Sequence, residues 1–319
     1  MAQFDLPVSS LETYSPVVFE PGDFDAFWQA TLAAANALPV DAEFVAVDAL
    51  LPGVEIHDVR FTGYGGTRVA GWFLTPANTP GPLPCVVQFI GYGGGRGRPH
   101  EWLLWPAAGY AVLVMDSRGQ GDGDTADLPG VGPQHVGLMT RGVLDRDEYY
   151  YRRLFTDAVR AVDAAATRPE VDPARLIVAG ASQGGALAQA VAGLRPDLRG
   201  AIIDVPFLTH FRRATEITDA YPYRELADLL SRSRHLADPV FATLAYFDGV
   251  HFAARATAPA LYTVGLMDDI CPPSTVYAAY HRYGGPKQLQ VWPYNGHESG
   301  ATQQPPVNLR WLRSLLTGA

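Results

Sequence analysis

Residues 175–194 constrain the fold more than any other stretch of this chain. Arg175-Leu176-Ile177-Val178-Ala179-Gly180 is a short hydrophobic run of strand character, and a helix carrying Ala186, Ala188 and Ala190 follows at once from Gln183 to Leu194. The chain therefore passes from strand to helix across Ala181-Ser182 with no loop between. Gly180 and Gly184 flank the turn, and residues without a Cβ let the backbone close it without clashes. A buried strand feeding a helix is the building unit of a parallel sheet. The turn leaves Ser182 above the C-terminal edge of that sheet and at a helix N-terminus, where the helix dipole favours developing negative charge.

The rest of the chain repeats the theme. Cys85 to Ile90 and Ala111 to Met115 are hydrophobic without alternation, as strands covered on both faces are. Leu103 to Ala108 reads as the start of the helix between them. Tyr149 to Thr167 is helical, Gly200 to Val205 is a strand, and strand Ala260–Val264, helix Ser274–Tyr283, strand Leu289–Trp292 and helix Leu309–Leu316 close the series. Val54–Phe61 and Arg68–Leu74 form a hairpin about Thr62-Gly63-Tyr64-Gly65-Gly66. Residues 1 to about 50 read as an N-terminal arm with Phe24, Phe27, Trp28 and Leu32 on one helical face and Asp23 as its cap. The alternation breaks twice, in a Gly- and Asp-rich loop from Ser117 to about Arg146 and in a helical insertion, Phe207 to about Ala254, read as a cap. The expectation is one α/β domain over residues 1–319, with a mostly parallel central sheet and helices on both faces.

Composition narrows the function classes. The chain has 319 residues, 48% hydrophobic and 18% charged, with a formal net charge of −9. That is a folded protein, and its acidity argues against nucleic acid and anionic membranes as partners. Cys85 and Cys271 are the two cysteines, and neither sits in a CxxC pair, so a structural zinc site is not expected. Cys85 reads as a buried strand residue, and the spacing of the two calls for no disulfide. No run is long enough for a transmembrane helix. Met1-Ala2-Gln3-Phe4-Asp5 begins no basic segment followed by an apolar one, so the expected location is the cytoplasm.

Gly180-Ala181-Ser182-Gln183-Gly184 fits the nucleophile elbow of α/β-hydrolases, whose serine needs a base to take its proton. In that fold the order is serine, acid, histidine, which removes His57, His100 and His135. His210, His235 and His251 fall in the cap and His281 falls mid-helix, all better read as surface or packing residues. His297 follows the last strand in a loop, where the base belongs. Glu298 does not make this a metal motif, because residue 301 is Ala301. The acid belongs after Ala260–Val264, and position does not separate Asp268 from Asp269. Two N–H donors must face the oxyanion. One is the N–H of Gln183 and the other comes from Gly91-Tyr92-Gly93-Gly94-Gly95-Arg96-Gly97, with Tyr92 as donor. A phosphate loop is the poorer reading of those glycines, since no Gly-Lys-Ser/Thr follows.

With these residues placed, the chain resembles carbohydrate esterase family 7, the acetyl xylan esterases and cephalosporin C deacetylases. The resemblance rests on Arg118-Gly119-Gln120, Gly180-Ala181-Ser182-Gln183-Gly184 and His297-Glu298. Gln88-Phe89-Ile90-Gly91-Tyr92, Gly265-Leu266-Met267-Asp268 and Cys271-Pro272-Pro273-Ser274-Thr275 support it. It spans essentially the whole chain. It implies an α/β-hydrolase fold, Ser182 as nucleophile, His297 as base, Asp268 in preference to Asp269 as acid, and Tyr92 and Gln183 as oxyanion donors. Arg118-Gly119-Gln120 becomes a structural mark that helps hold the active-site loops. The resemblance implies deacetylation of xylo-oligosaccharides and small molecules such as cephalosporin C without metal or cofactor, in a homo-hexamer whose sites face an internal cavity. A peptidase of the same fold and a non-catalytic binder on it are the alternatives. Tyr92, Phe207 and Tyr221 are read as either pocket or core aromatics.

Overall fold

The computed structural model describes residues 2–127 and 137–318. His135 and the middle of the Ser117–Arg146 loop lie outside them. The strands are β1 Glu43–Ala46, β2 Val54–Thr62, β3 Arg68–Pro76, β4 Leu83–Phe89, β5 Ala111–Met115, β6 Val171–Ala181, β7 Gly200–Asp204, β8 Ala260–Gly265 and β9 Lys287–Trp292. They form one sheet in the order β1-β2-β3-β5-β4-β6-β7-β8-β9. β1, β2, β3 and β5 pair antiparallel, and every pairing from β5 through β4 to β9 is parallel.

The helices are α1 Val8–Leu11, α2 Phe24–Asn36, α3 Leu104–Ala107, α4 Tyr150–Ala166, α5 Gln183–Leu194, α6 Phe211–Ile217, α7 Arg224–Arg232, α8 Ala237–Leu244, α9 Gly249–Arg255, α10 Pro273–Arg282 and α11 Gln304–Thr317. They cover both faces. The larger core joins one face of the sheet to α2, α4, α5, α9 and α10 through Trp28, Phe73, Tyr151, Phe155, Leu187 and Phe252. The smaller one sets Ile56, Trp72, Val86, Val112, Ile177 and Ile202 against Trp105 and Leu312. β5 and β7 are buried along their whole length, which is why neither alternates in hydrophobicity.

Several local expectations change. Asp23 occupies the position before α2, but its carboxylate does not cap the helix. It accepts from Arg146 at 2.8 Å and from the Tyr246 hydroxyl, so a tertiary cation and phenol outcompete the local backbone N–H groups. The helix expected at Leu103–Ala108 is a 3-10 turn, Pro99–Trp102, and the single turn of α3. Pro106 within α3 lacks the N–H that an extended helix would use. β1 was not expected: its residues are mostly exposed, so it shows no hydrophobic run, and edge pairing with β2 alone makes it a strand. The insertion consists of α6 to α9, but α9 packs with Phe252 and Ala253 in the main core. Both cysteines are free thiols and buried. Among the described residues no helix is long and apolar enough to cross a membrane.

Candidate active site

The turn after β6 is as tight as the sequence requires. Ser182 has φ 57° and ψ −120°, a conformation that costs a non-glycine residue of order 1–3 kcal/mol. Its surroundings enforce it. The Ser182 N–H donates to the Asp204 carbonyl at 3.0 Å, and the Ser182 carbonyl accepts from Ala186 at 2.9 Å and Phe207 at 3.0 Å. A Cβ at Gly180 would stand 2.4 Å from the carbonyl of Gly184, and one at Gly184 would stand 2.4 Å from the carbonyl of Phe89. The two glycines are thus required by crowding between β6, α5 and β4. Ser182 is left partly exposed at the head of α5.

His297 lies on the loop after β9 with its side chain about a quarter exposed. Its Nδ1 donates to Asp268 Oδ2 at 2.9 Å, with Oδ1 at 3.2 Å. Asp268 is fully buried after β8. Its Oδ1 also accepts the backbone N–H groups of Ile270 and Cys271, each at 2.9 Å, which fix the carboxylate toward the imidazole. Asp269 turns elsewhere, and its carbonyl accepts from the Thr218 hydroxyl beside the cap. Of the two neighbours left open by position, Asp268 is the one bonded to His297.

Cys271 completes the cluster. Cys271 Sγ, an Asp268 oxygen and a His297 nitrogen all lie within 4.8 Å of one another. Burial pushes the thiol well above its ordinary range, and the Asp268 carboxylate pushes it the same way.

The loop after β4 carries Tyr92. Among the described residues no acceptor engages the backbone N–H of Tyr92 or of Gln183. The two segments are joined through Gln120. Its Oε1 accepts the Gly93 N–H at 2.7 Å, and its Nε2 donates to Gln183 Oε1 at 2.9 Å and to the Tyr150 hydroxyl at 2.7 Å. The Gln183 side chain accepts from the Tyr151 hydroxyl and reaches back to the Ile90 carbonyl at 3.3 Å. Arg118, fully buried, is paired with Asp157 at 2.5 Å and Asp127 at 3.3 Å. Arg118 and Gln120 therefore act through contacts, one anchoring the loop after β5 and the other bridging the two donor segments. The sequence placed Gln120 within a structural mark but assigned it no partner. Two of its partners, Tyr150 and Gln183, are remote in sequence and follow no local periodicity.

The Tyr92 hydroxyl donates to Glu225 of α7 at 2.7 Å and accepts the Leu138 N–H at 3.1 Å, while the other Glu225 oxygen accepts the Met139 N–H at 3.1 Å. Burial raises the Glu225 carboxyl. Phe207 is a buried packing residue, its ring centroid 6.2 Å from that of Tyr92 and 4.5 Å from that of Tyr223. Tyr221 is half-exposed and bonded to Asp228. Among the passed-over histidines, His251 and His281 bond the backbone carbonyls of Phe19 and Leu11. A hydroxyl at a helix N-terminus, an imidazole with its far nitrogen held by a carboxylate, and two free N–H groups can together carry out acyl transfer.

Known proteins resemble this chain over nearly its whole length. Residues 1–315 match the acetyl xylan esterase (AXE1) family. Acetyl esterase Axe7A of Xylanibacter ruminicola is 30% identical over 318 residues, covering 95% of this chain and 69% of that protein. The solved acetyl xylan esterase from Paenibacillus sp. R4 is 39% identical with a TM-score of 0.92, covering 97% of this chain and 99% of that one. Acetyl xylan esterase 1 from Thermoanaerobacterium sp. JW/SL YS485 is 33% identical with a TM-score of 0.91, over 98% and 99% of the two chains.

Proposed function

Because this chain belongs to the acetyl xylan esterase family, and is thereby a carboxylic ester hydrolase of α/β-hydrolase fold, we propose that it removes acetyl groups through a Ser182–His297–Asp268 triad and an acetyl-enzyme. The carrying observation is the buried Asp268 carboxylate held on His297 Nδ1 at 2.9 Å. That bond leaves Nε2 as the lone-pair nitrogen, the tautomer a general base needs. His297 takes the Ser182 proton as Oγ bonds to the acetyl carbonyl carbon. The N–H groups of Tyr92 and Gln183 hold the oxyanion, the alcohol leaves with the proton from His297, and water repeats the sequence to release acetate.

Small acetylated molecules, among them acetylated xylo-oligosaccharides and cephalosporin C, are the substrates of this reading. It includes a homo-hexamer and a cytoplasmic location. Nucleic acid, membrane and cofactor have no part in it. The test is Ser182→Ala. Hydrolysis of p-nitrophenyl acetate is expected to fall to background with an unchanged circular dichroism spectrum. Turnover retained in the pure variant would overturn the triad. A panel of acetyl, propionyl and butyryl esters with an aminoacyl anilide is expected to favour acetyl sharply. Faster anilide cleavage would make the chain a peptidase, and a Ser182 that fails to label with a fluorophosphonate would make it a binder.

A further inference from the structure

Cys271 has no step in acyl transfer, yet its thiol stands beside Asp268 and His297. Asp268, Cys271 and His297 offer an oxygen, a sulfur and a nitrogen within 4.8 Å of one another. Two of the three are fully buried and the third opens to solvent. Donors around a tetrahedral zinc-type ion stand about 3.5 Å apart. Side-chain rotations of about an ångström would gather these three round one ion, with water as the fourth position. One oxygen of Asp268 is already committed to the N–H groups of Ile270 and Cys271, which leaves Oδ2 on the side of the imidazole. Mixed sulfur, nitrogen and carboxylate donors select borderline and soft divalent cations over magnesium or calcium.

We propose that Asp268, Cys271 and His297 form an inhibitory site for a zinc- or cadmium-class divalent cation. As the metal–sulfur bond forms, Cys271 releases its thiol proton to solvent, and His297 supplies a ring lone pair. Inhibition follows, on the reading of His297 as general base, because Asp268 lies on the Nδ1 side of the ring and an ion shared by the two takes that nitrogen. A metal on Nδ1 displaces the bond to Asp268 and moves the ring proton to Nε2, which then cannot act as base. The enzyme would be switched off reversibly by an ion that is no part of its catalysis.

The experiment titrates cadmium into the Cys85→Ala protein, where Cys271 is the one remaining sulfur of its kind, and reads the ultraviolet sulfur-to-cadmium charge-transfer band. A saturable band with one cadmium per chain is expected, with a matching loss of esterase activity reversed by EDTA. Magnesium and calcium are expected to leave the rate unchanged. In Cys271→Ala the band disappears, and the concentration for half-inhibition rises at least ~10-fold, the loss of one charged ligand. Absence of the band in Cys85→Ala, equal half-inhibition in Cys271→Ala and the parent, or a band without inhibition would each overturn the proposal. Ser182→Ala keeps all three ligands. An inactive Ser182→Ala with no band leaves the triad standing and removes the metal site. An active one that gives the band does the reverse.

Discussion

Gln120 touches neither of the atoms expected to react, yet it joins both sides of the expected oxyanion hole. Its carbonyl oxygen holds Gly93, the neighbour of Tyr92, and its amide nitrogen holds the Gln183 side chain. Truncation to alanine leaves the Gly93 N–H without its acceptor and the Gln183 carbonyl oxygen without one donor. Displacement of one oxyanion donor costs up to 10²–10³ in rate. Gln120→Ala is expected to lower kcat for p-nitrophenyl acetate between about tenfold and 10²-fold with a smaller change in KM. An unchanged kcat would detach Gln120 from the hole. Asp204 makes a different prediction. It is buried at the end of β7, its Oδ2 accepts from Asn308 at 3.1 Å, and its Oδ1 has no partner among the described residues. Burial pushes its carboxyl up to about 6, against about 3.9 in an unfolded chain. The folded state therefore holds the proton more tightly. That contribution is complete below about pH 4 and lost as the pH rises through about 6. Two units correspond to at most about 3 kcal/mol. Asp204→Asn, which keeps an oxygen for Asn308, is expected to gain urea stability relative to the parent as the pH rises from 4 to 7. A difference independent of pH would contradict the assignment.

Among the elements, α7 ties the insertion to the site through one carboxylate. Glu225 holds the Tyr92 hydroxyl and the Met139 N–H together. Glu225→Ala leaves the buried Met139 N–H unpaired and is expected to cost about 1–3 kcal/mol in urea unfolding. Glu225→Gln keeps an acceptor and is expected to cost less, so equal losses would refute the latch. The strands flanking this region were largely legible from sequence. Ala111–Met115 and α5 Gln183–Leu194 fall where the pattern put them, because a sheet covered on both faces leaves uninterrupted hydrophobic runs. Ser182 and His297 were legible through motif and chain order. The choice of Asp268 over Asp269 came from resemblance, since adjacent acids are separable only by where the loop turns. The bridges made by Gln120 and Glu225 were not legible. Each joins segments distant in the chain, and hydrogen bonds of that kind leave no period in the sequence. β1 escaped for a related reason: an exposed edge strand has no buried face to mark it.

At the scale of the whole molecule, the N-terminal arm wraps the core and still presents apolar side chains outward. Val17 and Phe19 are 99% and 70% exposed, beside a groove lined by Phe211, Phe241 and Leu244. Covering such residues in an assembly removes apolar area from water at about 25 cal/mol per Å². Light scattering is expected to give six times the mass of the 34.5 kDa chain. A monomer at assay concentration would end the hexamer reading. The amide bridge has one more consequence, for the order of events in time. Tyr92 follows β4, Gln120 follows β5 and Gln183 follows β6, and these strands lie side by side at the centre of the sheet. Three neighbouring strands, joined by two crossovers, must dock before both donors are held. Esterase activity should therefore emerge as the last signal in refolding, after far-ultraviolet ellipticity has recovered, and no fragment that omits one of those strands should turn over an ester.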